Sequence, residues 1–252
     1  MRLTFLGTGT STGVPILGCR CSVCLSTDIH DKRTRPSLLL EFSGRVVVID
    51  TAPDFRFQAM REEIEKVDAL LFTHGHADHV LGLDDVRPYY FKQRQPIPLY
   101  ADARCMKSLE RMFPYIFDRQ FPYGGILRVD PRLISDSFDL WGEQITPLPV
   151  LHGALPILGF RFCRAAYITD FSAIPEPTLA LLEGLDLLIL DALRRRPHPT
   201  HSSLEQSLAL VERLKPQRAF FTHIAHEMGH SSTNASLPLN VRLAHDGLKV
   251  EV

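Results

Sequence analysis

The sequence predicts a layered α/β domain, and two observations carry that expectation. Short apolar runs such as Val46-Val47-Val48-Ile49 read as strands buried on both faces, and they alternate with stretches of helical periodicity. Several of these runs then end in a residue able to bind a metal: Thr73 leads into His74, Leu151 into His152, Thr169 into Asp170 and Thr222 into His223. Strand ends are where layered α/β proteins build their sites. The chain has 252 residues, 45% of them apolar, and no linker, repeat or low-complexity segment interrupts it. It therefore reads as one domain over 1–252, long enough to bury a sizeable core without disulfides.

The elements follow in order. Leu3 to Leu6 is a first strand, and Gly7 to Gly13 a flexible loop without the Lys-Ser/Thr of a P-loop or the spacing of a dinucleotide fingerprint. Its glycines suit close backbone approach beside a site. Cys19, Cys21 and Cys24 then lie in a polar, Gly-flanked loop at about 18–25. Three thiols spaced C-x-C-x₂-C converge on one tetrahedral zinc and need a fourth ligand, either His30 nearby or a remote His. Ser37–Phe42 and Arg45–Asp50 read as strands joined at Ser43-Gly44. Asp50, at the strand end, either orients a metal-bound His or serves a turn.

Phe55–Glu65 is helical, and Ala69–Thr73 is the strand that delivers His74-Gly75-His76-Ala77-Asp78-His79. A helix beginning near Val80–Asp85 follows, with the ligands in its first turn. The stretch Arg87-Pro88-Tyr89-Tyr90-Phe91 reads either as reaching over the site or as packing. Pro98–Ala101 is a strand, Ala103–Met112 a helix, and 113–135 an irregular connection. Glu143–Leu151 and Ile157–Phe162 form a hairpin, and Ala165–Asp170 is another strand. Pro175–Glu183 is a helix opened by proline. Leu185–Asp191 is a strand, Leu204–Leu214 a helix, and Arg218–Thr222 a strand.

Net charge is -1, which gives no general pull toward nucleic acid or an anionic membrane. The odd number of cysteines, five with three clustered, argues for thiols in a reducing compartment. No apolar stretch is long enough to span a bilayer, and the N-terminus reads as a strand rather than a signal, so a cytoplasmic address is expected.

His74, His76, Asp78, His79, His152, Asp170 and His223 are too many ligands for one tetrahedral ion and suit two ions sharing a carboxylate. Both Zn²⁺ and Mn²⁺ accept imidazole and carboxylate. Two such ions can bridge a hydroxide and clamp the attacking and leaving oxygens of a displacement. The motif alone does not choose between phosphate esters, amides and thioesters.

The run from Thr73 to His79, with His152, Asp170 and His223 in order, resembles the metallo-β-lactamase superfamily of binuclear hydrolases across nearly the whole chain. The resemblance implies an αββα sandwich of two mixed sheets flanked by helices. It also implies one metal on His74, His76 and His152, a second on Asp78, His79 and His223, and Asp170 between them. The stretches Gly7 to Pro15 and Gly18 to Cys24 are further similar to PhnP-type phosphodiesterases. From that similarity His226 becomes the fourth ligand of a structural zinc with Cys19, Cys21 and Cys24, and His201 a general acid with a pKa near neutrality. A homodimer is suggested by resemblance alone.

These readings lead to a metal-dependent phosphodiesterase acting on a small phosphodiester, a cyclic ribose phosphate among them, through a metal-bridging hydroxide and with Asp78 and His201 as catalytic residues. The competing readings are a glyoxalase II-like thioesterase, a tRNase Z-like nuclease and a non-catalytic metal-binding module. Asp170 stands where β-lactamases of this fold place a Cys, and no tRNA-holding arm is visible. Arg194-Arg195-Arg196 reads either as a phosphate grip or as a solvated face, and His198 carries little. His30, His230 and His245 read as ordinary, and Cys105 and Cys163 as small apolar fillers.

Overall fold

The computed structural model describes residues 1–118, 120 and 124–252. Residues 119 and 121–123, within the irregular connection expected over 113–135, lie outside the described residues. The strands in chain order are β1 (Arg2–Gly7), β2 (Ser37–Phe42), β3 (Arg45–Ile49), β4 (Ala69–Leu71), β5 (Ile97–Ala101), β6 (Val129–Leu133), β7 (Phe138–Leu140), β8 (Glu143–His152), β9 (Leu155–Phe162), β10 (Ala165–Ile168), β11 (Leu187–Asp191), β12 (Arg218–Thr222), β13 (Val241–Leu243) and β14 (Lys249–Glu251). They form two seven-stranded sheets, ordered β14-β1-β2-β3-β4-β5-β6 and β13-β12-β11-β10-β9-β8-β7. Each sheet is part antiparallel and part parallel, with the parallel runs β3-β4-β5-β6 and β10-β11-β12-β13.

The two-residue period of the strands separates the layers. Leu38, Leu40, Val47, Ile49 and Leu71 of the first sheet meet Ile145, Phe160, Phe162, Tyr167, Leu187 and Ile189 of the second in one inner core. The alternate residues Leu39, Val48 and Leu70 face outward under α1 (Phe55–Arg61) and the later helix α4 (Ala103–Met112). On the far side Leu188 and Leu190 pack beneath α6 (Glu176–Ala180) and α7 (Leu204–Leu214). Runs such as Leu187-Leu188-Ile189-Leu190 are apolar throughout because both of their faces are covered. The result is the αββα sandwich.

Several elements differ from the expectation. Strands β6, β7, β13 and β14 are short or polar on their outer residues, and β6 carries Pro131 and three exposed side chains, as an edge strand tolerates. The segment after the histidines is one turn of helix, α2 (Ala77–Val80), followed by a 3₁₀ turn over Leu83–Val86 rather than a helix from Val80. Arg87–Gln93 is helix α3; Tyr89 and Tyr90 pack against the first sheet's outer core, and the Tyr89 hydroxyl donates to Ile64 O. Cys105 is buried as expected. Cys163 is exposed, in the β9–β10 turn at φ +50°, and fills no core.

Candidate active site

The parallel strands of both sheets end on one edge, and their last residues make the site. β3 ends before Asp50, β4 before Phe72-Thr73-His74, β10 before Thr169-Asp170, β11 at Asp191, and β12 before His223. Three of these residues, Asp50, Asp170 and His223, are left-handed, with φ of 61°, 58° and 55°. That region is uncommon for residues with a Cβ, and its concentration at one edge of the molecule marks where the chain accepts local strain. The sheets are also tied together there, by a backbone bond of 3.0 Å from Leu158 N to Thr73 O. Gly75 is required by the approach of α4, since a Cβ would lie 2.6 Å from Ser108 Cβ.

Beneath the histidines sits Asp50, fully buried. It accepts from Thr73 N at 2.8 Å, from Thr73 Oγ1 at 2.7 Å and from His79 Nδ1 at 2.7 Å. With its proton given to Asp50, Thr73 Oγ1 is left to accept from His74 Nδ1 at 3.0 Å. This fixes the tautomers of His74 and His79 and turns both Nε2 lone pairs toward the site. His152 is fixed in the same way, by donation from Nδ1 to Thr200 O at 2.8 Å.

Around this base the seven sequence-predicted residues come together. Asp78, His79, Asp170 and His223 offer ligand atoms that all lie within 4.8 Å of one another. The His79 and His223 Nε2 atoms stand 3.3 and 3.2 Å from the two Asp170 oxygens, and 3.5 and 3.6 Å from Asp78 Oδ2. The rings of His74, His76 and His152 form the other half, with centroids 4.5, 5.1 and 5.8 Å apart. Asp170 also groups with His152 and His201, so its carboxylate reaches both halves.

The residues fit cations. The Nε2 atoms of His74, His79 and His223 are buried without a hydrogen-bond partner, a costly state that a metal ion relieves. Burial pushes His79 down, but the carboxylates of Asp170, Asp78 and Asp50 outweigh it and hold the imidazole well above its ordinary value. His223 is likewise disfavoured by burial yet raised to about 9, chiefly by Asp170. For Asp78 and Asp170 burial opposes ionisation, while His79 and His223 draw both well below the carboxylate range. The pocket is thus strongly attractive to positive charge.

Beside the ligands lies a carboxylate that the sequence reading passed over. Asp191 Oδ2 stands 2.9 Å from His201 Nδ1, and its Oδ1 lies 3.9 Å from His223 Nδ1. Asp191 thus orients the His201 ring, which stacks on that of His223 with centroids 4.8 Å apart. The signal was present, since Asp191 ends an apolar strand as Asp170 does. His201 is held by its loop: Leu193 N donates to Ser202 O, Ser207 Oγ donates to Asp191 O, and Ser203 and Gln206 form a capping box at the start of α7. Burial, reinforced by His223, lowers the His201 pKa to about 4, below the near-neutral expectation. His198 accepts from Thr200 and stands 5.0 Å from His201, ring to ring. Arg196 pairs with Glu227 at 3.0 Å, and Arg194 lies 4.0 Å from the same carboxylate.

The cysteine loop is assembled as well. Cys19, Cys21 and Cys24 place their Sγ atoms 3.3, 3.4 and 3.5 Å from His226 Nδ1. A tetrahedral ion with Zn–S of about 2.3 Å and Zn–N of about 2.0–2.1 Å sets sulfur and nitrogen roughly 3.5 Å apart, so the four residues fit zinc. The backbone N–H of Cys24 lowers the Cys21 thiol to about 6, whereas burial raises Cys24 to about 11. His30 is not at this cluster; it stands beside Asp28, His230 and His245. Buried Arg33 staples the loop by donating to Asp31 Oδ1, Ala225 O and Met228 O, fixing the turn that carries His226. The Gly-rich loop packs on the segment after His223, through Ile224 N to Thr8 O at 2.8 Å and Thr10 N to Ile224 O at 3.2 Å.

Known proteins share this fold. The family model "Beta-lactamase superfamily domain" matches residues 45–224. A crystal structure described as a new diphosphatase from the PhnP family is 49% identical, with a TM-score of 0.94, over 100% of this chain and 97% of that one. Zn²⁺-bound PqqB from Methylobacterium extorquens shares the fold at 22% identity and TM-score 0.80, each chain fully covered. A curated relative, octanoyltransferase of Porphyromonas gingivalis, is 37% identical over 99% of this chain. The chain spans about half (51%) of that relative's length. The chain belongs to the metallo-β-lactamase superfamily, within its PhnP-type branch.

Proposed function

We propose that the protein is a metal-dependent phosphodiesterase acting on a small diester, a ribose cyclic phosphate or a diphosphate diester among them. The observation that carries this reading is the cluster of Asp78, His79, Asp170 and His223, with Asp170 also reaching His152 and with His201 held by Asp191 beside them. His74, His76 and His152 would hold one divalent cation, Asp78, His79 and His223 the other, with Asp170 shared. Bound there, zinc or manganese supplies Lewis acidity and a water made nucleophilic at neutral pH.

The chain's own residues do the rest. Asp50 and Thr73 hold the His74 and His79 rings in the tautomers that present Nε2. Asp191 keeps the His201 proton on Nδ1 in the neutral ring and favours a second proton on Nε2 when charge builds nearby. An anionic phosphoryl group in the site raises His201 from its low resting value, and Nε2 then gives its proton to the departing oxygen. The PhnP-family diphosphatase, similar over the full chain, supports a phosphorus ester over a thioester.

The test compares a ribose cyclic phosphate, a dinucleoside diphosphate and an acyl thioester as substrates, for native protein and an Asp78→Ala control. Turnover of either phosphorus ester, lost in the control, is expected. Turnover of the thioester alone, or of none of the three, contradicts the reading.

A further inference from the structure

The turn from His223 to Met228 joins parts of the molecule that lie far apart in sequence. His223 begins it at the end of β12, and His226 belongs to the cysteine cluster. The residues around them are bonded outward in different directions. Ile224 N donates to Thr8 O at 2.8 Å, and Ala225 N donates to Leu193 O at 2.8 Å. Glu227 accepts from Arg196 at 3.0 Å, while Ala225 O and Met228 O accept from Arg33 at 3.2 and 2.8 Å.

Stability alone does not account for Arg33. Its side chain is fully buried and pairs with Asp31 at 3.0 Å. Burial lowers the guanidinium from its ordinary value, with Asp31 opposing, and Nε is left without a hydrogen-bond partner. A buried ion pair with an unsatisfied donor adds little over apolar side chains of similar size. What this one adds is geometry. Its backbone is fixed to the Gly-rich loop, by Arg33 N to Val14 O at 2.7 Å and Val14 N to Arg33 O at 2.8 Å. Its planar fork then spans the carbonyls of Ala225 and Met228 and the Asp31 carboxylate, which the single ammonium of a lysine does not reproduce.

From there a chain of bonds leads to the loop that carries His201. Arg33 Nη1 donates to Ala225 O, Ala225 N to Leu193 O, and Leu193 N to the O of Ser202, the residue after His201, at 3.0 Å. Ala192 N donates to Thr222 O at 3.1 Å and Leu204 N to Arg194 O at 2.9 Å, so both ends of this loop are fastened. The contact of 2.9 Å between His201 Nδ1 and Asp191 Oδ2 depends on where the loop sits.

We propose that Arg33 is a positioning residue for His201, acting through Ala225 and Leu193 to seat the imidazole against Asp191. The inference rests on the hydrolytic reading for what His201 does, and on the bonds above for where His201 sits.

The test compares the metal-loaded native protein with Arg33→Lys, which keeps the charge beside Asp31 and removes the fork. Metal per chain, kcat and KM on alkyl and activated aryl phosphodiesters, and the ring resonances of His201 are measured together. Native metal content is expected, with kcat on alkyl esters lowered about 10–100-fold at unchanged KM, as for a small misplacement of a reacting group. Aryl esters, which need no proton, are expected to be spared, and the His201 resonances displaced. Native kcat and native resonances beside a lowered melting temperature would make Arg33 merely structural and overturn the proposal. Equal loss on alkyl and aryl esters overturns it as well. If Arg33→Lys does not fold, the double variant Arg33→Met with Asp31→Asn takes its place, since it leaves no unpaired buried charge. Should the native protein cleave no phosphorus ester, the hydrolytic reading fails by itself. The resonances then decide alone: displaced, they support the positioning role, and unchanged, they overturn it.

Discussion

At the scale of single residues, the site depends on groups that do not touch the ligand positions directly. Asp50 holds His79 directly and His74 through Thr73, so its effect passes through their tautomers. Asp50→Asn is expected to weaken metal binding by about 10–100-fold, the range seen when the groups behind metal ligands are changed. A competition titration against a zinc chelator measures it, and unchanged affinity would place Asp50 in a purely structural role. Asp191 is the residue least legible in the sequence. A carboxylate at the end of an apolar strand is equally a turn former, and its partner His201 lies on a loop that only the fold brings beside it. Asp191→Asn should retain the full metal content and lose turnover on diesters with poor leaving groups, because the carboxylate that favours protonated His201 is gone. Loss of metal instead would show that its contact with His223 dominates.

At the scale of elements, the alternation of core faces was readable wherever a strand is covered on both sides. It failed at β6, β7, β13 and β14, where edge position or brevity leaves no continuous apolar run. The ligand run His74 to His79 was legible because its residues are close in sequence; the choice of His226 over His30 came only from the resemblance to PhnP-type proteins, since only folding brings residue 226 to the cysteine loop. Helix α7 carries a capping box that also anchors the His201 loop, with Ser203 N donating to Gln206 Oε1. Ser203→Ala is therefore expected to cost about 1 kcal/mol, read as a lower urea midpoint at constant slope. If the midpoint is unchanged, the loop is held by other contacts.

At the scale of the whole molecule, the two sheets share one inner core, and the same edge of both sheets concentrates buried charge. Unrelieved, such charge opposes folding, and bound cations offset it. Exhaustive chelation should accordingly lower the melting temperature, and zinc or manganese restored to the strand-end residues should raise it again; a melting temperature indifferent to metal would contradict that balance. The central claim is that this edge of the sandwich cleaves phosphorus esters, with His201 protonating the departing oxygen. Its most direct test is the dependence of kcat/KM on leaving-group pKa across aryl and alkyl phosphodiesters, for native protein and His201→Ala. A shallow dependence in the native protein and a steep one in the variant are predicted, with a loss of about 10²–10⁴ on alkyl esters and little on activated aryl esters. Parallel lines, with equal loss on every ester, would contradict the account.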